Sequence, residues 1–196
     1  YIHSLAIDPE TTSTLYAGIY GGVFKSSNGG TSWTHSGLAS TTTVYSLAIN
    51  PQTTSTLYAG TDGGDVFKSS NGGANWNQVN INIPHNAYVN ALAIDSQTPA
   101  TVYAGTSAGV FKGVNDGTTW TQANNGLTTL YIHSLAIDPE DPDTLYVGTG
   151  GSGVFKSVNG GGNWTAANSG LTATIVHSLA IDPQTTSTLY AGTYGE

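Results

Sequence analysis

The chain has 196 residues, of which only 8% are charged; its formal net charge is −8, it has no cysteine, and its four basic residues are all lysines. Nucleic acids and anionic membrane surfaces attract clustered cations, so isolated lysines spread along the chain argue against both as partners. The lack of cysteine excludes disulfides and thiolate metal sites, and no apolar run is long enough for membrane insertion.

A unit of about 44 residues recurs along the chain. Each unit starts with a segment close to S-L-A-I-D-P, and the leucines of these segments are 42, 45, 43 and 44 residues apart. A tryptophan follows later in each unit, at spacings of 43, 44 and 44 residues. The predicted units are about 1–43, 44–88, 89–131 and 132–175, with a half-unit at 176–196.

The elements of one unit are predicted in a fixed order. Strand A (S-L-A-I) is followed by an Asp-Pro turn, strand B (T-L-Y-A-G), a glycine-rich turn and strand C (V-F-K-S). An S-x-N-G-G-x-x-W turn then leads to strand D, which starts near the tryptophan. Four short antiparallel strands with this period predict an all-β fold, a β-propeller with four full four-stranded blades plus an A–B half-blade. A β-solenoid is the alternative, although its repeats are usually shorter.

The turn between strands C and D carries a family resemblance. Residues 26–33 read S-S-N-G-G-T-S-W, which resembles the Asp-box (BNR) repeat S-x-D-x-G-x-x-W of sortilin-type, xyloglucanase-type and photosystem-assembly-factor propellers. Asparagine replaces the aspartate in every copy, and the third copy also lacks the serine. The resemblance implies a structural turn remote from any active site. The predicted turn residues are Asn28, Asn71, Asn115 and Asn159, with Trp33, Trp76, Trp120 and Trp164.

The repeat count leaves an incomplete blade. Residues 1–18 and 175–192 are nearly the same sequence, and the second copy has no strands C and D after it. One interpretation is a fragment of a larger ring, in keeping with the lack of an initiator methionine and signal peptide, which indicates a mature or excised piece of a longer product. The other is a homo-oligomer in which another chain completes the half-blade, because unpaired strand edges are adhesive.

Residues that differ between units are the candidates for function. In an up-and-down blade the B–C and D–A connections lie at the same end, and this end collects aromatic, imidazole, amide and acidic side chains. Such groups suit a glycan or protein ligand, since rings stack on sugar C–H faces and polar tips bond hydroxyls. The alternative is that they only cap the channel. The candidate ligand-binding residues are His3, Tyr20, Tyr45, Asp62, His133 and His177, with Asn90 at the same register.

Residues that recur in every unit are predicted to be structural. The aspartates of the Asp-Pro turns, with Asn50 in the second unit, are expected to form turns. The lysine of each strand C is expected at an exposed edge or on the blade surface. Three histidines at equivalent positions suggest a metal on the axis, but wide propeller channels disfavour it, and we predict neither metal nor cofactor.

The sequence does not predict a self-sufficient enzyme. Sialidases hold the substrate carboxylate with arginines, which this chain lacks. Thr61-Asp62-Gly63-Gly64 is similar to the catalytic Thr-Asp-x-Gly-Gly segment of xyloglucanase-type hydrolases, although it lacks the residue between Asp and Gly. Asp62 is therefore a weak catalytic candidate. The resemblance implies that the second carboxylate comes from a second propeller, and Asp65 is too close in sequence to replace it. Three functions therefore remain open: a binding module, an assembling structural subunit and a hydrolase fragment. The low charge and abundant Thr, Asn and Gly are typical of a secreted or cell-surface bacterial protein.

Overall fold

The computed structural model describes residues 1–38, 41–79 and 82–194. These residues form β-strands and turns, and they include no helix that is long and apolar enough to cross a membrane. The strands pair antiparallel in four four-stranded sheets, which we call blades 1 to 4, and in one two-stranded sheet, the terminal hairpin.

Each blade is a meander whose strands A to D follow one another in sequence. Blade 1 contains β1 (Ile2–Ile7), β2 (Leu15–Ile19), β3 (Gly22–Ser26) and β4 (Thr34–His35). Blade 2 contains β5 (Val44–Ile49), β6 (Leu57–Thr61), β7 (Val66–Ser69) and β8 (Asn77–Gln78). Blade 3 contains β9 (Val89–Ile94), β10 (Val102–Thr106), β11 (Gly109–Val114) and β12 (Thr119–Gln122). Blade 4 contains β13 (Ile132–Ile137), β14 (Leu145–Thr149), β15 (Val154–Ser157) and β16 (Thr165–Ala166), and the terminal hairpin consists of β17 (Ile175–Ile181) and β18 (Leu189–Tyr194).

The A strands form the inner wall of an arc. Strands β1, β5, β9, β13 and β17 contact one another in that order, and each B strand except the last contacts the next A strand. This arrangement of four-stranded antiparallel blades around an inner row of A strands is that of a β-propeller. The predicted fold class is thus confirmed, including the four full blades and the A–B half-blade.

Contacts between a glycine on strand B of one blade and a branched residue on strand A of the next hold the blades together. A branched residue near the start of each inner strand after β1 is fully buried against the preceding blade: Val44, Val89, Ile132 and Val176. Val44, for example, faces Gly18 of β2, where an added Cβ would lie 2.8 Å from the valine Cγ1. Burying each such side chain stabilises the fold by roughly 1.5–3 kcal/mol. Glycine in the middle of strand B is therefore required by the closeness of the next blade.

The C–D turns are closed by a serine and an asparagine. In the second turn, Ser69 Oγ accepts the backbone N–H of Gly73 at 2.9 Å and donates to Asn71 Oδ1 at 3.0 Å, and Asn71 Oδ1 also accepts the N–H of Asn75. The first and fourth turns repeat these bonds. In the third turn Gly113 replaces this serine, and the ring of Trp120 occupies the space that a Cβ at Gly113 would need.

A second set of contacts links each C–D turn to the preceding blade. Tyr16 Oη and Lys25 Nζ of blade 1 donate to the carbonyl of Gly72 in blade 2, at 3.2 and 3.1 Å. Tyr103 and Lys112 of blade 3 bond Gly160 of blade 4 in the same way. At the middle junction the lysine pairs instead with a carboxylate, since Lys68 Nζ lies 3.3 Å from Asp116 Oδ2. The lysines, predicted at an exposed edge or on the blade surface, are half-buried, and Lys25, Lys68 and Lys112 contact the next blade.

The connections separate into two ends of the arc, as the sequence predicts. The A–B and C–D turns share one end, where the Gly29 N–H donates to Ser13 O. The B–C and D–A connections share the other, where the Asp62 N–H donates to Thr43 O. The Asp-Pro aspartates close their own turns; Asp8 Oδ1, for example, accepts the N–H groups of Glu10 and Thr11.

We expect Ser69→Ala to lower the free energy of unfolding by about 1–3 kcal/mol, because it leaves the buried Gly73 N–H without its acceptor. Chemical denaturation would measure this change. Ser70→Ala is the matched control, since Ser70 is exposed and its replacement should shift the free energy by less than about 0.5 kcal/mol. Equal effects of the two substitutions would contradict the assigned role of Ser69.

Candidate functional site

Five equivalent side chains are presented at the channel end where the B–C and D–A connections lie. Each of them directly follows the branched residue near the start of its A strand. The pairing of every A strand with its B strand shifts register at this one residue, which is therefore the extra residue of a β-bulge. Bulges redirect side chains and are over-represented beside functional sites. The bulged residues are His3, Tyr45, Asn90, His133 and His177.

These side chains line one open cavity of about 240 Å³ along the inner wall. Neighbouring rings touch: the centroids of His3 and Tyr45 are 4.9 Å apart, and those of His133 and His177 are 4.6 Å apart. Asn90 lies between the two pairs in strand order. The structure thus brings together four of the six predicted ligand-binding residues; we call this region the channel mouth.

Three tyrosines that the sequence analysis did not select extend the channel mouth. Tyr88 packs edge-on against Tyr45 at 5.6 Å, Tyr131 against His133 at 4.9 Å, and Tyr194 against His177 at 6.2 Å. Tyr88 and Tyr131 lie two residues before the bulged residue of their strands, a spacing that places side chains on one face of a strand. The recurrence of a tyrosine two residues before the bulged residue is the sequence signal that could have identified Tyr88 and Tyr131.

Hydrogen bonds between inner strands hold the bulges in place. Asn90 Nδ2 donates to the Ile132 carbonyl of the next blade at 2.8 Å. One blade earlier, Ser46 Oγ donates to the Val89 carbonyl, also at 2.8 Å. The Asn90 bond orients its amide, and its Oδ1 accepts no bond from the described residues. Asn90 also lines the cavity, so this acceptor is available to a ligand there.

Burial shifts the pKa of two ring groups at the channel mouth. Burial raises the pKa of Tyr45, and the nearby Asp62 carboxylate raises it further. Burial lowers the pKa of His133 below its ordinary value, and His177 lowers it further. All four lysines are directed elsewhere, over the ring of the tyrosine in their own blade. No lysine therefore lines the channel mouth.

The two other predicted ligand-binding residues lie outside the cavity lining. Asp62 is half-buried in the B–C turn of blade 2, near enough to Tyr45 to affect its pKa. Tyr20 forms a β-bridge with Thr43 and its side chain is 70% exposed. Asp65 accepts a 2.7 Å bond from Gln78 Nε2 and lies 4.0 Å from His85 Nδ1, so it is tied to the outer part of the blade.

A metal site is not formed by the described residues, in which no three His, Asp or Glu side chains come close enough to bind an ion. The three histidines of the channel mouth include only one neighbouring pair, His133 and His177. Their geometry is that of ring packing.

Comparisons with known proteins establish the fold and leave the family open. The chain matches no family model and no curated protein. It is similar to the crystal structure of an ancestral GH74 enzyme (TM-score 0.82, 21% identity, 94% of this chain and 28% of that one). It is also similar to the GH74 xyloglucanase of Xanthomonas campestris (0.69, 17%, 84% and 30%) and to the extracellular domain of a putative one-component system of B. thetaiotaomicron (0.74, 21%, 98% and 26%). The chain spans less than a third of each of these proteins.

We expect His177→Gln to raise the pKa of His133, because it removes the second imidazole that disfavours protonation. The pKa should stay below the ordinary value of 6.5, since burial remains the larger cause. A pH titration followed by NMR of the His133 ring protons would measure the shift. His35→Gln is the control, because His35 lies on an outer strand, bonded to Gly21 O, and its loss should leave the His133 titration unchanged.

The same depressed pKa gives a pH dependence of stability. In the folded chain His133 resists protonation that the unfolded chain accepts, so its contribution is complete above pH 6.5 and is lost as the pH falls below that value. His177→Gln should therefore make thermal unfolding less sensitive to pH between about 7 and 5. An unchanged pH dependence would count against the coupling of the two imidazoles.

Proposed function

We propose that this chain is an extracellular, non-catalytic propeller module that binds a neutral glycan at the channel mouth. The observation that carries the proposal is the row of five β-bulges, each presenting a ring or an amide to one open cavity. Sugars are bound by aromatic faces that stack on C–H groups and by fixed polar groups that bond hydroxyls. We further propose that the C–D turns are Asp-box turns in which asparagine replaces aspartate.

The electrostatics favour an uncharged ligand. The pKa shifts of His133 and Tyr45 favour their neutral forms at pH 7, and Lys25 and Lys112 bond C–D turns at the opposite end of the blades. A phosphate or sulfate group would meet no lysine at the mouth and would lie close to the Asp62 carboxylate. A neutral oligosaccharide instead gains hydrogen bonds from Asp62, from Asn90 Oδ1 and from the neutral imidazole of His133, which has both a donor and an acceptor.

The similarity to glycoside hydrolase propellers supports a carbohydrate-related role, and the extracellular domain among the similar structures supports the proposed location. A non-catalytic role is supported by the carboxylates. Asp62 is the acidic group beside the rings. Asp65 lies in the same B–C turn, but it accepts a hydrogen bond from Gln78 of β8. Glycoside hydrolysis requires two carboxyl groups on either side of the scissile bond.

We expect the chain to bind a neutral oligosaccharide such as a xyloglucan fragment, measured by calorimetry. Tyr88→Ala should weaken binding about tenfold, because it removes a stacking face that is already part-exposed and so carries little folding cost. Tyr20→Ala is the matched control, since this tyrosine is exposed and does not line the cavity. The proposal would be overturned if no neutral glycan binds at millimolar concentration, or if a peptide or an anionic polymer binds in its place.

The non-catalytic part of the proposal has its own test. Incubation with the same oligosaccharide should release no new reducing ends, and Asp62→Asn should alter only affinity. Release of product by the wild-type chain, abolished by Asp62→Asn, would identify Asp62 as catalytic and would support a hydrolase instead.

A further inference from the structure

A half-buried lysine of strand C faces the next blade at each junction between blades 1 to 4. Each lysine contacts the C–D turn of that blade at the residue after the turn asparagine. The lysines are Lys25, Lys68 and Lys112, and the turn residues they contact are Gly72, Asp116 and Gly160. The three junctions occupy equivalent positions in the repeat, so their charges can be compared directly.

Two of these lysines face a carboxylate of the next blade. Between blades 2 and 3 the turn residue itself supplies it, and Asp116 Oδ2 lies 3.3 Å from Lys68 Nζ. Between blades 3 and 4 the turn residue is a glycine, and Asp143 of the A–B turn supplies the carboxylate. Asp143 Oδ1 and Lys112 Nζ each lie 3.1 Å from the point where a Cβ on Gly160 would be. Two different positions in the repeat therefore bring a negative charge to the same place.

The junction between blades 1 and 2 has neither carboxylate. Its turn residue is Gly72, and Ser55 lies at the position equivalent to Asp143. A Cβ on Gly72 would lie 3.3 Å from Lys25 Nζ, so the place that the aspartate side chain takes in blade 3 is open here. Lys25 donates to one acceptor among the described residues, the Gly72 carbonyl at 3.1 Å, whereas an ammonium group has three donors.

Lys25 borders an open cavity of about 240 Å³ between blades 1 and 2, which we call the Lys25 cleft. Residues 34–37 of blade 1 and residues 71–74 of blade 2 line it. Its volume is close to the lower limit for pockets that bind small molecules, which suits one compact ligand. The Lys25 cleft shares no lining residue with the channel mouth.

Two other polar side chains of the Lys25 cleft keep a hydrogen-bonding group available. Asn71 uses Oδ1 within its own turn, but its Nδ2 donates to none of the described residues. The His35 ring bonds the Gly21 carbonyl through Nε2 at 3.1 Å, so Nε2 carries the proton and Nδ1 of the neutral ring is an acceptor. The cleft thus combines a cation, an amide donor and an imidazole acceptor.

We propose that the Lys25 cleft binds a uronic acid residue of an acidic glycan, with the sugar carboxylate beside Lys25 Nζ. The carboxylate takes the place that the Asp116 carboxylate occupies at the next junction, and it accepts hydrogen bonds from Lys25 and Asn71. A ring hydroxyl donates to His35 Nδ1. A simple carboxylate such as acetate has no donor for this acceptor, whereas a uronic acid carries a carboxylate and hydroxyls on one ring.

A peptide matches the cleft less well. Extended peptides bind by adding a strand to an exposed sheet edge, where main-chain hydrogen bonds supply the affinity. The outer strand at this cleft, β4 (Thr34–His35), has only two residues and offers little edge for such pairing. Among the described lining residues Ala74 has the only apolar side chain, so the cleft also offers no apolar pocket for a peptide side chain.

The first test is an NMR titration of the chain with methyl glucuronide, followed at the backbone amide of Ala74, which lines the cleft. We expect a saturable shift at millimolar concentration, because one part-exposed ion pair contributes little free energy. Methyl glucoside, which has the same ring without the carboxylate, and acetate should give no saturable shift. The absence of a shift with the glucuronide, an equal response to either control, or tighter binding of a short glutamate peptide would overturn the proposal.

Gly72→Asp should abolish this binding, because it places the chain's own carboxylate beside Lys25 as Asp116 is placed beside Lys68. Aspartate suits the backbone there: φ is 66° at Gly72 and 60° at Asp116. Asn75→Asp is the matched control, since it adds the same charge to an exposed position of the same turn outside the cleft lining. Binding that survives Gly72→Asp, or that is lost equally in the control, contradicts the assigned site.

Ser55→Asp repeats the blocking test without changing a glycine. It gives the second blade the carboxylate that Asp143 supplies in the fourth, and it should weaken glucuronide binding about fivefold through a competing ion pair. Ser55 is exposed, as Asp143 is, so the substitution carries little folding cost. Unchanged affinity in this variant would show that a carboxylate at that position does not compete for Lys25.

Asp143→Ser tests the same idea as a gain of binding, which misfolding does not produce. The equivalent cavity between blades 3 and 4 has a volume of about 290 Å³ and is lined by Lys112 and by Gln122, whose amide also provides an acceptor. Removing the competing carboxylate should let the glucuronide shift the Gly162 amide, which lines this cavity and responds more weakly than Ala74 in the wild-type chain. No gain at Gly162 would overturn the proposal. Binding of a neutral glycan at the channel mouth should be unchanged in all these variants, so the two proposals fail separately.

Discussion

The fold depends on the contact between a branched residue on one inner strand and a glycine on the preceding blade. A four-stranded sheet cannot bury both faces by itself, so every blade depends on its neighbours. The Gly18–Val44 contact shows how closely the sheets approach, because even a methyl group at Gly18 would meet the valine. The bulges, the C–D turns and the lysine contacts all depend on this spacing, since each bonds a group on the adjacent blade.

The bulges connect packing to function. A strand that buries its first residue between blades would place the next residue on the opposite face of the sheet if the ladder continued without a break. The register shift instead leaves that residue unpaired and turns it toward the channel. The position is thus freed from packing, which explains why it varies among His, Tyr and Asn while the residues before it remain branched and apolar. Variation confined to one register is what a ligand-binding surface on a repeated scaffold requires.

Much of the architecture could be predicted from the sequence. The period of about 44 residues, with one glycine-rich turn and one tryptophan per unit, fixed the blades and the half-blade because each signal recurs at the same place. The alignment of units also placed His3, Tyr45, His133 and His177 at one level. It could not show the bulges, because a bulge depends on how two strands pair. It also could not show the role of the lysines, since a lysine on strand C looks exposed until the next blade's C–D turn is in place.

The other differences between the predicted site residues and the observed cavity have the same physical origin. Tyr20 and Asp62 follow the B strands of blades 1 and 2, at the end of the blade where the channel mouth lies. Neither residue lines the cavity, however, and Tyr20 is exposed. Tyr88 and Tyr131 were overlooked because they precede the predicted strands, although strand periodicity continues through them. In each case the deciding contact lies between blades.

The dependence of each blade on the next also explains why the ends of the arc are chemically specific. An edge strand normally presents only backbone groups, and natural proteins protect such edges with charge or proline. Here the end of blade 4 carries a tyrosine, a lysine and a carbonyl equivalent to those used at two internal junctions, and blade 1 carries their counterparts. The repeated junction therefore specifies its own partner, namely another blade of the same sequence pattern.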